Sequence, residues 1–553
     1  MRTAIRTHLP GLLLLTVVGA VVLWPVVPAG SDIAGDPLGE ADNHLWMSWR
    51  ALGGAAANAP AGVDLPLMDP VNLLPYALGA WVSPGLGWAL MRLWNMLLAM
   101  VGGAALSRCF VRGPAVWVGA AVLGTAPFLS GAMDFGITES WPIGWFGLHA
   151  AALLGLARHG GAGRALLAGV SLGMIGLSGW YHSFFGLVME AMLVPFLLWR
   201  HRRPALVLQG MVGLAMVLPA LLRFLEVAPG FEARWRAPSP GPPGPRPDWA
   251  ELPVFGTDVL NLVLPALEAV HPSKSVYLGL FSFLLAGVAL VGRPRVGGGL
   301  LAAALPFVVL ALGHWPTLAG KAIGFPGPAW FLAEHVEALR GLSHWHRGVA
   351  GALPFLAAAA AVGAGILLER VPRGTALVGA GLVGVVTFDA VVGGGTAWPR
   401  STISLEAPAV LMELPGPGGV VQLPFDNGRA AFSAEPARIY QRWQVAHGRP
   451  ISENYEGVDA LLEGSALVAA ADATCGVVST LPPYYQPPPR MRELPMPEGE
   501  SLASGRAALR SWGYAWIVVH RSRCRTPVQA IQALDRVLGP GTHHPSGDVL
   551  WAL

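Results

Sequence analysis

Val349–Leu368, VAGALPFLAAAAAVGAGILL, is twenty residues without a charge. At about 1.5 Å of rise per residue, a helix of that length spans roughly 30 Å, the thickness of bilayer hydrocarbon. Arg347 stands just before it and Glu369 and Arg370 just after, so charge returns where such a helix would meet water. Runs of the same kind lie near 9–27, 86–106, 114–131, 141–157, 165–180, 183–199, 204–224, 275–292, 298–314 and 374–392. With 349–368 they make about eleven expected spans. The runs at 141–157 and 165–180 are short and rich in Gly and Ala, which lets helices pack closely.

Composition agrees. The chain has 553 residues, 53% of them hydrophobic and only 12% charged. A soluble chain of this length carries roughly twice that charge. The net charge of +3 is small and the arginines sit at the ends of apolar runs, which argues against nucleic acid as a partner and for membrane orientation. At the N-terminus, Arg2 and Arg6 precede Leu9–Val27 and then Pro28-Ala29, an order like that of a cleaved signal. The apolar stretch is longer than the usual signal core of about 7–15 residues, so it reads as a retained first helix.

Orientation follows from alternate loops. Arg2 and Arg6, Arg108 and Arg112, Arg158 and Arg164, Arg200, Arg202 and Arg203, Arg293 and Arg295, and Arg370 and Arg373 all fall on one side of the expected spans. Short basic loops mark the cytoplasm, so the N-terminus is expected inside and the chain beyond about 393 outside. The expected setting is a membrane whose cytoplasmic face carries these basic loops. Residues 1–392 form a multi-span domain whose large outside loops are 28–85, 225–274 and 315–348, and 393–553 form a separate outside domain. Within the second loop, Ala237–Pro247 (APSPGPPGPRP) is too rich in Pro and Gly for helix or sheet.

After Arg400 the texture changes. Gly419–Pro424 (GVVQLP), Tyr514–His520 (YAWIVVH) and Val549–Leu553 read as short buried strands. Thr526–Leu538 has helical spacing, with Val528, Ile531, Leu534 and Leu538 on one face. A small α/β domain follows, in which Leu481–Met496 is an extended proline-rich loop. Cys475 and Cys524 both lie in it, where they either form a disulfide or stay as two thiols. Cys109, at the cytoplasmic end of a span, reads as packing.

Gly35–Arg50, GDPLGEADNHLWMSWR, gathers Asp36, Glu40, Asp42 and His44 beside Trp46 and Trp49, directly after the first span. If Glu40–Arg50 is helical, Glu40 and His44 share a face. Carboxylates at a membrane surface are costly without a partner. Such a group can deprotonate a sugar hydroxyl, or hold a divalent cation through Asp36 and Asp42. The alternative is a solvated interfacial helix anchored by its tryptophans. Asp134 and Glu139 lie in the next outside loop, MDFGITESW, and Tyr181 and His182 at the one after. A basic group, Lys321, Arg340, His344, His346 and Arg347, precedes the tenth span. Arginines and histidines on the outer face do not serve orientation. They suit either a lipid-linked phosphate or anionic headgroups.

These stretches occur in a particular order: GDPLGEADNHLWMSW, then PLMDPVNLLPYAL, LWNMLLAM, GLSGWYHSFFGL, YLGLFSFLLAGVAL and LRGLSHWHRGVAG, then VVQLPF, YQRWQVAHGRPI and WIVVH. In that order the chain resembles the bacterial GT-C-type membrane glycosyltransferases with a C-terminal extracytoplasmic α/β domain. The resemblance runs along nearly the whole chain without one stringent motif. It implies a polytopic α-helical GT-C-like fold and a polyprenyl-phosphate-linked sugar donor used on the outer face. The implied acceptor is an envelope glycan, a lipid or a protein.

The catalytic base then falls on Asp36, or on Asp42 or Glu40, with Asp134 or Glu139 as second-loop acid and His44, Tyr181 and His182 in support. Arg347, with Arg340, His346 and Lys321, would meet donor phosphate. Relatives carry a tight acidic pair where this chain has Glu40 and loose spacing, which leaves the need for a divalent cation open. The rival readings are a non-catalytic membrane protein supporting envelope polysaccharide or lipid assembly, and a transporter. The transporter is disfavoured by the lack of an internal repeat and by the scarcity of mid-span charges apart from Glu190.

Overall fold

A computed structural model describes residues 2–27, 32–37, 39–54, 69–198, 203–236, 257–264, 276–319, 321–336, 339, 342, 344–371, 374–396, 398–424, 435–452, 466–475 and 500–553. The helices up to residue 393 are α1 (Arg2–Val22), α2 (Ala41–Ala51), α3 (Leu73–Ala80), α4 (Pro84–Ser107), α5 (Ala115–Gly124), α6 (Pro127–Phe135), α7 (Gly144–His159) and α8 (Ala162–Leu177). They continue as α9 (Trp180–Leu198), α10 (Arg203–Arg236), α11 (Leu280–Gly292), α12 (Pro294–Ala311), α13 (Pro328–His335), α14 (Val349–Glu369) and α15 (Thr375–Gly393). Every expected span has its helix. Among the described residues, six segments are long and apolar enough to cross a bilayer: Pro84–Ser107, Ala115–Phe135, Pro204–Leu222, Pro294–Ala311, Trp345–Glu369 and Thr375–Gly393. Pro10–Val22, Ala162–Leu177 and Leu280–Gly292 are apolar and shorter. The chain is a multi-pass membrane protein.

Local chemistry sets the boundaries. α4 begins at Ser83, whose Oγ accepts the Leu86 N–H at 3.1 Å, with Pro84 in the first turn where its missing donor costs nothing. Pro127 divides the expected third span into α5 and α6, and Gly136, at φ +80°, closes α6 with a left-handed cap. α10 runs on to Arg236, past the expected end near 224. The segment Ala237–Pro247 lies outside the described residues, as does Leu481–Met496.

The chain divides into two compact units. The first is Met1–Pro28, Ala34–Gly39 and Met68–Thr402. Its centre is α14, packed by α4, α5, α11 and α12. The membrane-span windows of α5–α6 and α14 are 100% and 89% buried, whereas that of α10 is 11% buried and lies at the rim. Small residues permit the close approaches. A Cβ on Gly144 would strike the Leu98 carbonyl of α4, and one on Gly363 the Leu285 carbonyl of α11.

The second unit is Ala29–Ile33, Glu40–Leu67 and Ile403–Leu553, so it takes in part of the segment expected to be a loop of the membrane domain. Its sheet orders the strands Gly419–Leu423, Tyr514–Val519, Val549–Ala552 and Thr542–His543. The first two are parallel and the other pairings antiparallel. One face packs on the helices Ala466–Cys475 and Pro527–Leu538. In the latter, Ala530, Ile531 and Leu534 are buried, but Val528 is 52% exposed. The core face is therefore rotated from the expected one, with Ala530 in the place assigned to Val528. Cys475 and Cys524 are joined, with Cα atoms 5.0 Å apart. On the other face, α2 packs against Glu435–His447, where the Trp46 indole donates to Gln444 Oε1 at 2.7 Å.

Candidate functional site

The acidic stretch 35–50 is divided. Asp36 belongs to the membrane unit, and Glu40, Asp42 and His44 to the second unit. There Asp42 Oδ2 lies 3.3 Å from Arg442 Nη1, and Glu40 Oε2 lies 3.6 Å from His44 Nε2, one helical turn away as the spacing predicts. Asp42 and His44 are both buried. The interfacial-helix alternative, a solvated polar face, does not describe them.

In the membrane unit, Asp36 sits on a short loop held to other segments at two points and closed by a turn of its own. The Gly35 N–H donates to the Ser401 carbonyl at 2.9 Å, the Asp36 N–H to the Asp134 carbonyl at 2.6 Å, and the Gly39 N–H to the Asp36 carbonyl at 2.8 Å. Just upstream, the Trp88 indole of α4 donates to the Ala34 carbonyl at 3.0 Å. Asp134, near the end of α6, is 3% exposed and interacts electrostatically with Arg400, Arg92 and Asp36. Arg92, on α4, is 1% exposed. Arg400, after α15, is anchored by its Nε to the Val22 carbonyl at 3.2 Å and by its N–H to the Trp24 carbonyl at 2.8 Å. Burial pushes the Arg400 guanidinium below its ordinary range, and the Asp134 carboxylate beside it acts the other way.

A second cluster forms where α9 meets the turn before α14. Arg347 Nη1 pairs with Glu139 Oε1 at 2.8 Å, and its guanidinium lies over the Tyr181 ring at 4.5 Å. The Tyr181 hydroxyl lies 3.1 Å from His344 Nδ1, and the His344 and His346 rings are 5.6 Å apart. His182 is fully buried, and neither ring nitrogen has a hydrogen-bond partner among the described residues. The structure thus joins Glu139, Tyr181 and Arg347, and Asp36 with Asp134. Lys321 is exposed, on a two-residue strand paired with Thr317–Leu318. Arg340 lies outside the described residues.

Sequence reasoning passed over Arg92, Arg400 and an amide network. Asn72 Nδ2 donates to Asp69 Oδ2 and to the Thr138 carbonyl, both at 2.9 Å, and Asn95 Nδ2 donates to Asn72 Oδ1 at 2.7 Å. These bonds tie PLMDPVN and α4 to the loop that carries Glu139. The scarcity of mid-span charges was also overstated. Arg92 interrupts an apolar run, and Asp389 in α15 accepts the Tyr277 hydroxyl at 2.6 Å. Glu190 stands 2.8 Å from His149 Nε2 and accepts from Gln209, while His149 Nδ1 lies 3.1 Å from Ser171 Oγ. Helices α7, α8, α9 and α10 are fastened together by this cluster.

A divalent cation needs several oxygen ligands converging on one point. The described residues hold no group of three His, Cys, Asp or Glu able to share a metal ion.

No protein-family model matches the sequence, and no curated protein matches it. Among solved structures, the chain is similar to the arabinofuranosyltransferase AftD from mycobacteria, at TM-score 0.50 and 14% identity, covering 97% of this chain and 39% of that one. It also aligns with the oligosaccharyltransferase of Archaeoglobus fulgidus, at TM-score 0.46 and 10% identity over 92% of this chain and 69% of that one. ArnT from Cupriavidus metallidurans aligns at TM-score 0.42 and 16% identity, over 98% and 97%. At such identities the likeness is one of fold, and the AftD match carries it. The chain has a polytopic α-helical fold like that of AftD, with a small α/β unit in its C-terminal part.

Proposed function

We propose that the protein transfers a sugar from a polyprenyl-phosphate-linked donor to an envelope glycan, lipid or protein on the extracytoplasmic side of a bacterial cytoplasmic membrane. The N-terminus is then cytoplasmic and the second unit outside, as the alternating arginines require. What carries the reading is the buried charge in and near the expected outer parts of the spans: Asp134, Arg92 and Arg400, with the half-buried Asp36 bonded to the Asp134 carbonyl, and Glu139 paired with Arg347. A membrane protein keeps such groups dry only where they work or pair.

The reaction is a single displacement with inversion. The acceptor hydroxyl oxygen attacks the anomeric carbon and its proton passes to the Asp36 carboxylate. The carbon–oxygen bond to phosphate breaks, and polyprenyl phosphate leaves with the electron pair. Arg347, fixed by Glu139 and the Tyr181 ring, stabilises the charge that develops on the leaving phosphate. Asp36 is preferred to Asp42 and Glu40 because its loop is pinned to Asp134 and Ser401 within the membrane unit. The transporter alternative loses its main support, since Glu190 is committed to His149 and Gln209. The test is transfer of radiolabelled sugar from polyprenyl-phosphate donors to an envelope extract by the purified protein. Loss of transfer in Asp36→Asn together with Arg347→Ala supports the reading, and full activity in both variants rejects it.

A further inference from the structure

We infer that α3 and the turn after it lie among lipid acyl chains, as a re-entrant hairpin with the first half of α4, rather than in the aqueous loop expected over 28–85. The surface lies wholly within the membrane unit and would be there whatever reaction the protein performs.

From Pro70 to Met91 the chain carries no charged residue. α3 packs back along α4, and glycine makes the contact close. A Cβ on Gly79 would come 2.7 Å from the Gly87 nitrogen, and one on Gly87 would come 2.8 Å from the Tyr76 carbonyl oxygen. The base of the hairpin is fastened. Asn72 Oδ1 accepts from Asn95 Nδ2 at 2.7 Å, and Asn72 Nδ2 donates to the Thr138 carbonyl at 2.9 Å. At about 1.5 Å per residue, Asn95 stands roughly 16 Å along α4 from Pro84. That is close to the hydrocarbon depth of one leaflet, about 15 Å.

Pro75, Tyr76 and Gly79 are the buried side of α3. The other side is apolar and open: Leu74 is 69% exposed, Leu78 65%, Trp81 84% and Val82 78%. Leu74, Leu78 and Trp81 have the i, i+4, i+7 spacing of one helix stripe. In water so many large apolar groups on one short element are costly. α4 likewise exposes Trp94 and Val101 along its membrane-spanning length, so lipid already bathes the helix on which α3 packs.

Hydrocarbon also requires backbone donors to be satisfied within the protein. At the tip, the Val82 and Ser83 N–H groups donate to the Gly79 carbonyl at 2.9 and 3.2 Å, and the Gly87 N–H donates to the Ser83 carbonyl at 3.0 Å. The Leu86 N–H is taken by Ser83 Oγ at 3.1 Å, and Pro84 has no N–H. These groups are settled internally, as lipid requires and water does not. Trp81 then sits at the headgroup boundary, where tryptophan is favoured, with Leu78 and Leu74 progressively deeper.

Nitroxide labels on the full chain in lipid nanodiscs supply the test. Leu74→Cys, Leu78→Cys and Val82→Cys are made in a Cys109→Ala background. Val101→Cys on α4 is the lipid reference, and Gln532→Cys, exposed in the second unit, is the water reference. Power-saturation EPR compares relaxation by oxygen, which concentrates in hydrocarbon, with relaxation by a nickel chelate, which stays in water. Labels at 74 and 78 should respond severalfold more to oxygen than to the chelate, as the label at 101 does. The chelate response should grow from 74 through 78 to 82. Chelate responses at 74 and 78 equal to that at 532 overturn the inference, since the hairpin would then stand in water. Labels immobilised and shielded from both reagents also overturn it, because a second copy or another protein would then cover the stripe.

Discussion

Arg92, Arg400 and Asp134 share the membrane unit with a second buried polar cluster, His149, Ser171, Glu190 and Gln209, and the two are bonded differently. In the second, charge and amide meet at contact distance: His149 Nε2 is 2.8 Å from Glu190 Oε1, Gln209 donates to the same carboxylate, and Ser171 Oγ lies 3.1 Å from His149 Nδ1. In the first, five guanidinium nitrogens and a carboxylate oxygen have no hydrogen-bond partner among the described residues, against His149 Nε2, which meets Glu190 by charge contact alone, and Gln209 Oε1 in the second. A buried polar network whose groups meet one another fastens helices, and one left mostly unbonded is open to a further partner. Burial alone does not separate these cases, since Arg92 and His149 are equally buried. Bonding does.

The largest expected effect tests the open cluster. Asp36→Asn should lower transfer by about two to four orders of magnitude, the range for loss of a general base. Asp42→Asn, whose carboxylate faces Arg442 in the second unit, should cost less than about tenfold. Both are measured as initial rates with a polyprenyl-phosphate donor. Equal losses would dissolve the distinction between Asp36 and the rest of its stretch.

Next comes the closed cluster. Glu190→Ala strands His149 against a hydrocarbon-like surround and should cost about 3–5 kcal/mol of stability. Its apparent Tm in detergent should fall clearly below wild type, while the kcat of protein that remains folded changes less than about threefold. A variant with normal Tm and no transfer would place Glu190 in the reaction instead.

Legibility in the sequence followed the range of each interaction. Span positions are local, carried by twenty-residue apolar runs, and each expected run has a helix. The three principal strands of the second unit were equally local. The division of 35–50 was not, because the bond that holds Trp46 is made to Gln444, 398 residues away. The pairing of Glu139 with Arg347 depends in the same way on packing between distant spans, though both residues stood out singly. Arg92 was visible as a charge inside an apolar run, but nothing near it in sequence announces Asp134 or Arg400 as its company. Val528 misled because helical spacing admits two neighbouring faces, and the small Ala530 turned out to face the sheet.

The second unit has fastenings of its own, which should register in stability. The disulfide of Cys475 and Cys524 closes a separation of 49 residues, and its removal should cost about 2–4 kcal/mol. A thiol titration of the denatured, unreduced chain should find one reactive cysteine, Cys109. Two or three would show the bond unformed.

The smallest effect is one of pH. His447 is held down to about 4, first by burial and then by Arg449 and His520, and its Nδ1 accepts the Arg449 N–H at 3.1 Å, which a proton there would abolish. Burial also lowers His520, set between Gln422 Oε1 at 3.1 Å and Asp548 Oδ2 at 3.3 Å. Both histidines take up protons more readily unfolded than folded. Their contribution is therefore complete above the unfolded pKa near 6.5 and is lost as pH falls toward 4, by at most about 3 kcal/mol for His447. Proteolysis of the full chain should thus cut within 403–553 progressively faster between pH 6.5 and 4, and His447→Gln, which keeps an acceptor without the titration, should flatten that dependence. The opposite slope, with cleavage fastest at neutral pH, would mean that these histidines are charged in the fold and contribute as cations to ion pairs.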